Sequence, residues 1–223
     1  MLILGIETAT EQVSVALGGH EGVIALFEVG RGRRHAEILA PAIDFICEQA
    51  DIGLDELGLV AVDVGPGLFT GMRVGLAAAK AMAMALRVPM IGISSLDLLA
   101  FPHRRSDRVV VPVVDARKGE VFYAMYRQVP GGLQQVVEPR VGPVDELVAD
   151  LLARSQEALC VGDGALRYRS EIVSTRRSKL GWSLKPCTRL ELAEIWTSWS
   201  TKIHGASSTR IFCASRYSLA RSA

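Results

Sequence analysis

Gly65-Pro66-Gly67-Leu68-Phe69-Thr70-Gly71-Met72-Arg73-Val74-Gly75 decides how this chain is read. Glycines permit dihedrals and a close backbone approach that any side chain forbids. The residues before this stretch, LVAVDV at 59–64, form a short apolar run of strand type, and those at 71–86 are rich in helix-favouring Ala and Met. Strand, tight loop and helix in succession leave free N–H groups at the helix start, where a phosphate or carboxylate can bind. The plainer alternative is a tight turn with Thr70 as the helix N-cap. The spacing is neither G-x-x-x-x-G-K-[ST] nor G-x-G-x-x-G, so a P-loop and a dinucleotide-binding fingerprint are both excluded.

On the N-terminal side, 2–7 (LILGIE), 12–18 (QVSVALG) and 22–29 (GVIALFEV) read as strands of an antiparallel meander. From His35 to Gln49 the apolar residues 38, 39, 42, 43 and 46 fall on one helical face, with a kink expected near Pro41. On the C-terminal side follow a strand at 90–93, a short helix near 95–101 and a charged stretch, His103 to Arg108, taken as the domain boundary. The expected domains are therefore 1–103 and 104–223. The second opens with strands 109–114 and 119–127, a helix Val144–Ala153 led by Pro143, and a strand at 158–161 ending in Gly162-Asp163-Gly164. This order predicts an α/β protein with a mixed sheet.

With 223 residues, 49% of them apolar, the chain can bury a substantial core. A net charge of +1 supplies no basic field for autonomous nucleic-acid binding, so an RNA role requires a partner. Met1 to Glu7 lacks a basic leading region and reads as a buried strand rather than a signal peptide. The longest apolar stretch, Val74 to Leu86, is interrupted by Lys80 and falls short of the roughly 20 residues needed to cross a bilayer, so no membrane role is expected. Cys47, Cys160, Cys187 and Cys213 form no C-x-x-C pair, which fits a reducing cytoplasm. Beyond about residue 169 usage changes: Val173 is the last valine, Asp163 the last aspartate, and Trp182, Trp196 and Trp199 all lie in the tail. Residues 170–223 therefore have two readings, a frame-shifted translation or a divergent basic tail that is disordered or binds a partner.

The stretch G-P-G-x-F-T-G-x-R-x-G resembles the signature of the TsaB (YeaZ) family, with Leu68 where the family usually carries Ser. The resemblance continues through Gly5-Ile6-Glu7-Thr8-Ala9-Thr10, Arg34 to Ile43, Gly92 to Leu96, Asp115 to Phe122 and Val161 to Ala165, in the family's order over residues 1–168. It implies an actin/Hsp70-like two-lobed fold, mixed sheets flanked by helices. It also implies a cytoplasmic, non-catalytic scaffold or activator that pairs with TsaD, works with TsaE, and homodimerises when alone. TsaD transfers threonylcarbamoyl to the adenosine beside the tRNA anticodon, and tRNA is met only through the complex. As the fold's nucleotide or phosphate region the resemblance implies Glu7, Thr8, Thr10, Gly65, Gly67, Thr70, Gly162 and Gly164, with at most weak ATP or ADP binding expected and no required cofactor.

TsaD-like chemistry needs a metal on histidines one helical turn apart, and here His35 is followed by Leu39. No metal site and no catalytic residue are expected. Gly92-Ile93-Ser94-Ser95-Leu96 lacks the second glycine of a nucleophile elbow, and Ser94 and Ser95 read as a helix start. Asp115, Arg117, Lys118 and Glu120 read as a solvated charged turn between strands, the alternative being that Arg117 and Lys118 touch nucleotide or RNA. The expected partner face combines Gly71, Met72, Gly75, Ala79 and Ala83 with His35, Ile38, Leu39, Ala42, Ile43 and Ile46, and an interface of standard size buries roughly 1,600 Å². A bulky charge at Gly75 or Ile43 is then expected to abolish pairing while sparing the fold. The rival reading is an ATP-dependent kinase-like enzyme of the same superfold.

Overall fold

β1 (Leu2–Glu7) is buried on both faces from Ile3 onward, the mark of a central strand. It pairs antiparallel with β2 (Val13–Gly19), which pairs with β3 (Gly22–Val29), so the expected meander is present. On its other side β1 runs parallel to β4 (Leu57–Asp63), and β4 to β5 (Met90–Ile93). A pair of residues, Ile211–Phe212, adds antiparallel to β5. The computed structural model describes residues 1–30, 34–154 and 156–174 and the backbone of 211–212. The readings made for the rest of the tail, and for Cys187 and Cys213, lie outside the described residues.

Two helices cover one face of this sheet. α1 (His35–Gln49) buries Leu39, Ala42, Ile43, Ile46 and Cys47, and continues through Pro41, which sits on its exposed side. α2 (Phe69–Leu86) buries Gly71, Gly75, Ala79 and Ala83. It starts earlier than the sequence indicated. Leu68, in extended conformation and with no side-chain cap bond, holds the N-cap position, so Thr70 lies inside the first turn and is not the cap. The core joins these helical residues to Leu4, Ile6, Val13, Val15, Leu17, Val60 and Val62.

Met1–Ser94 form one compact unit together with Ile211–Phe212, and the described residues from Ser95 onward form another. The division precedes the charged stretch His103–Arg108, because α3 (Ser95–Ala100) packs with the strands of the second unit. That unit holds β6 (Val109–Arg117), β7 (Glu120–Val129), β8 (Gly132–Pro143), α4 (Val144–Ala153), β9 (Ala158–Val161), α5 (Asp163–Arg167) and α6 (Arg169–Ser174). Its sheet runs β8-β7-β6-β9, with β6 and β9 parallel and the other pairs antiparallel. Leu147, Val148 and Leu151 of α4 seal it over Val111, Val113, Val121, Tyr123 and Met125. β8 was not read from the sequence. Its Pro139, Gly142 and Pro143 argue against a strand, but at a sheet edge the missing N–H groups cost no ladder bond. Among the described residues, no helix is long and apolar enough to cross a membrane.

Candidate functional site

The loop after β4 folds onto the β1–β2 hairpin. Gly67 and Gly71 meet the carbonyl oxygens of Ala9 and Thr8, so an added Cβ at either would strike backbone. Gly75 faces the Thr8 hydroxyl in the same way. Two hydrogen bonds fasten the contact: Leu68 N–H donates to Ala9 O at 2.6 Å, and Thr8 Oγ1–H donates to Gly71 O at 2.9 Å. Of the groups that the anion-cradle reading would use, the hairpin takes the Leu68 donor and the space beside the glycines. The loop is a clasp between two parts of one unit.

Beneath the clasp lie carboxylates. Glu7 is buried and accepts from Thr10 N–H at 3.0 Å and from Thr10 Oγ1–H at 3.2 Å. The parallel register that sets Ile6 beside Val62 sets Glu7 beside Asp63, which is also buried and accepts from Gly65 N–H at 2.7 Å. Burial first, and the neighbouring Asp63 charge second, push the Glu7 carboxyl up to about 8, against the pull of the Thr10 and Ala9 donors. At neutral pH Glu7 therefore holds its proton. Across the sheet from it, the Ser14 hydroxyl is buried without a hydrogen-bond partner. Asp63 and Ser14 were not among the expected site residues. The signal for Asp63 was a carboxylate closing an otherwise apolar strand.

The structure brings Glu7, Thr8, Thr10, Gly65, Gly67 and Thr70 together in the first unit and places Gly162 and Gly164 in the second. Gly162, at φ +105°, backs onto the Val113 carbonyl, and Gly164 onto Val113 and the Asp115 N–H. Asp163 Oδ1 accepts from Gly164 N–H at 2.9 Å and from Asp115 N–H at 3.3 Å, fastening the start of α5 to β6. Asp115 in turn accepts from Arg167 at 2.9 Å and from Tyr168 OH at 3.2 Å, and pairs with Arg117. Arg117 and Lys118 form the expected charged turn, both with left-handed φ (71° and 53°).

The expected partner face needs revision. Leu39, Ala42, Ile43, Ile46, Ala79 and Ala83 are core residues of their own unit, and Gly71 and Gly75 are pressed against the hairpin. His35 is buried too, its Nε2 donating to Thr10 O at 2.9 Å. A charge at Gly75 or Ile43 would break the fold rather than spare it. What α1 and α2 leave outward is Phe45, Phe69 and Met84, at 51%, 69% and 68% exposure, with Arg73 stacked over Phe69 at 5.4 Å. Ile38, packed against the core, and Met72, whose sulfur faces Gly65, are half-buried.

Known proteins resemble this chain in sequence and in fold. A family model described as TsaD, tRNA N6-adenosine threonylcarbamoyltransferase, matches residues 30–169. The tRNA threonylcarbamoyladenosine biosynthesis protein TsaB of Escherichia coli (strain K12) is 35% identical over 167 residues, 74% of this chain and 72% of that one. TsaB of Bacillus subtilis (strain 168) is 34% identical over 137 residues, and the match spans 61% of this chain but only 60% of the relative's length. The solved YeaZ from Pseudomonas aeruginosa superposes with a TM-score of 0.72 at 27% identity, covering 89% of this chain and 92% of that one. The fold is actin/Hsp70-like, with a mixed sheet flanked by helices in each unit. In sequence and in structure, the chain belongs to the TsaB (YeaZ) family.

Proposed function

We propose that this chain takes part in threonylcarbamoyladenosine formation on tRNA as a non-catalytic subunit that docks on TsaD and works beside TsaE. The observation that carries the reading is the state of α1. The chain matches a threonylcarbamoyltransferase model across this helix, yet His35 is spent on the Thr10 carbonyl and Leu39, one turn on, is a core residue. A metal held by paired imidazoles on that face has no second ligand there. Docking then falls to the outward side of α2, where Phe69 and Met84 supply exposed apolar anchors, and to Phe45 of α1, which is half exposed and packs edge-on against Phe27 of β3. In this reading the chain needs no cofactor of its own, any ATP or ADP uptake is weak, and in the absence of TsaD the same face pairs two copies.

The test is threonylcarbamoylation of tRNA by TsaD and TsaE with and without the chain, run beside ATP turnover by the chain alone. Stimulation without turnover supports the subunit; turnover without stimulation favours the kinase-like rival. Met84→Glu is expected to abolish pairing in sedimentation while moving stability by no more than about 0.5 kcal/mol, as surface changes do. Pairing that survives it would place the interface elsewhere.

A further inference from the structure

Glu7 and Asp63, both buried, lie side by side on the parallel strands β1 and β4, at the end of the first unit's sheet where the clasp is built. Each holds one half of that clasp. Glu7 accepts both Thr10 donors and so fixes the turn of the hairpin, while Asp63 accepts Gly65 N–H and fixes the loop. The two halves meet through Leu68 N–H on Ala9 O and Thr8 Oγ1–H on Gly71 O. Both helices of the docking face start from the same place: His35, the first residue of α1, donates to Thr10 O, and α2 begins at Phe69, directly after the loop. Among the described residues, β4 faces Glu7 with Asp63 and β2 with the uncharged Ser14 hydroxyl. The hairpin's Glu11 is exposed, and the α1 ring of His35 stands one bond away through Thr10. α2 carries no charged side chain before Arg73, which stacks over Phe69.

We infer that the proton held by this carboxylate pair is a latch on the clasp, and through the clasp on the docking face of α1 and α2. The inference rests on the docking proposed above and deepens it by naming what regulates that face. Two like charges on neighbouring strands, about 4.8 Å apart and out of water, are not both ionised at neutral pH. One proton between them leaves the clasp closed. When it departs, repulsion drives apart the side chains that fasten the hairpin and the loop, and the first turn of α2, with the exposed Phe69 anchor, loses its seat. Burial and the Asp63 charge put that departure at about 8. The latch is therefore closed below this value and released as pH rises through it. By linkage, a partner that selects the closed clasp strengthens the hold of the pair on its proton by the same factor.

The experiment measures docking of the natural chain on TsaD by calorimetry from about pH 7 to about pH 9, either side of the Glu7 value of about 8. Affinity is expected to fall about tenfold over that range, with proton uptake on docking at its upper end, read from buffers of different ionisation enthalpy. Glu7→Gln keeps the neutral form and is expected to lose both the fall and the uptake. Asp63→Asn, which removes the repulsion, is expected to weaken the dependence. The difference between natural chain and variant cancels whatever titrates on TsaD itself. Equal slopes and equal uptake in all three chains would overturn the latch. If no docking occurs at any pH, the subunit reading fails separately, and the latch is judged on the chain alone by hydrogen exchange at Thr10, Gly65 and Leu68. Protection, corrected for the intrinsic rate, is expected to drop about tenfold across the same range in the natural chain and to hold in Glu7→Gln. Equal protection in both refutes it.

Discussion

Glu7 in the first unit and Asp115 in the second are both poorly accessible carboxylates at the end of a central strand, and they are treated in opposite ways. Glu7 is buried and lies beside a second carboxylate, which together outweigh the hairpin's amide and hydroxyl donors, so it keeps its proton. The Asp115 side chain, 4% exposed, takes two guanidiniums and a phenol and is used as a charge. Neutral and charged forms of one functional group thus serve as fasteners, and the neighbours decide which.

The comparison is tested hardest at the clasp above Glu7. Gly71→Ala is expected to cost more than about 3 kcal/mol, because the methyl meets the backbone carbonyl of Thr8, which has no side-chain freedom to yield. Thermal unfolding measures it, and a loss below 1 kcal/mol would mean that the clasp is loose. Next in size is Asp115→Asn, which removes the charge shared by Arg117 and Arg167 and is expected to cost about 2 kcal/mol in chemical denaturation. A neutral outcome would make the second unit's network ornamental.

Glu7→Gln reads a slope more than an offset. The folded carboxyl sits at about 8 and the unfolded one at 4.5, so the folded state binds the extra proton between these values. The stabilisation is fully present below about 4.5 and is lost as pH rises through about 8. Denaturant midpoints of the natural chain should therefore fall over that window, and those of the variant should fall less. Parallel curves would show that Glu7 is ionised in the fold.

How much of this was legible in the sequence depended on whether a residue's job was local. Apolar spacing located α1 and α4, and buried runs located β1, β4 and β9, because burial writes itself into hydrophobic pattern. The edge strand β8 was missed since its partner, not its own composition, makes it a strand. The small-residue row of α2 was legible as a close-approach surface, but what approaches it is a hairpin from the beginning of the chain. Spacing alone does not distinguish an internal neighbour from a foreign one. Ser14 and Asp63 gather around Glu7 only through strand register, which no single segment encodes.

The clasp has an uneven tolerance. What Gly67 and Gly71 touch first is main-chain oxygen, which every amino acid supplies, while the hairpin adds two side-chain demands of its own, a small residue at the buried position 9 and the Thr8 hydroxyl that donates to Gly71 O. A graft that exchanged the hairpin for another of equal backbone shape that kept Thr8 and Ala9 would seat on this loop, whereas a loop bearing methyl groups at 67 and 71 would seat on no hairpin of that shape.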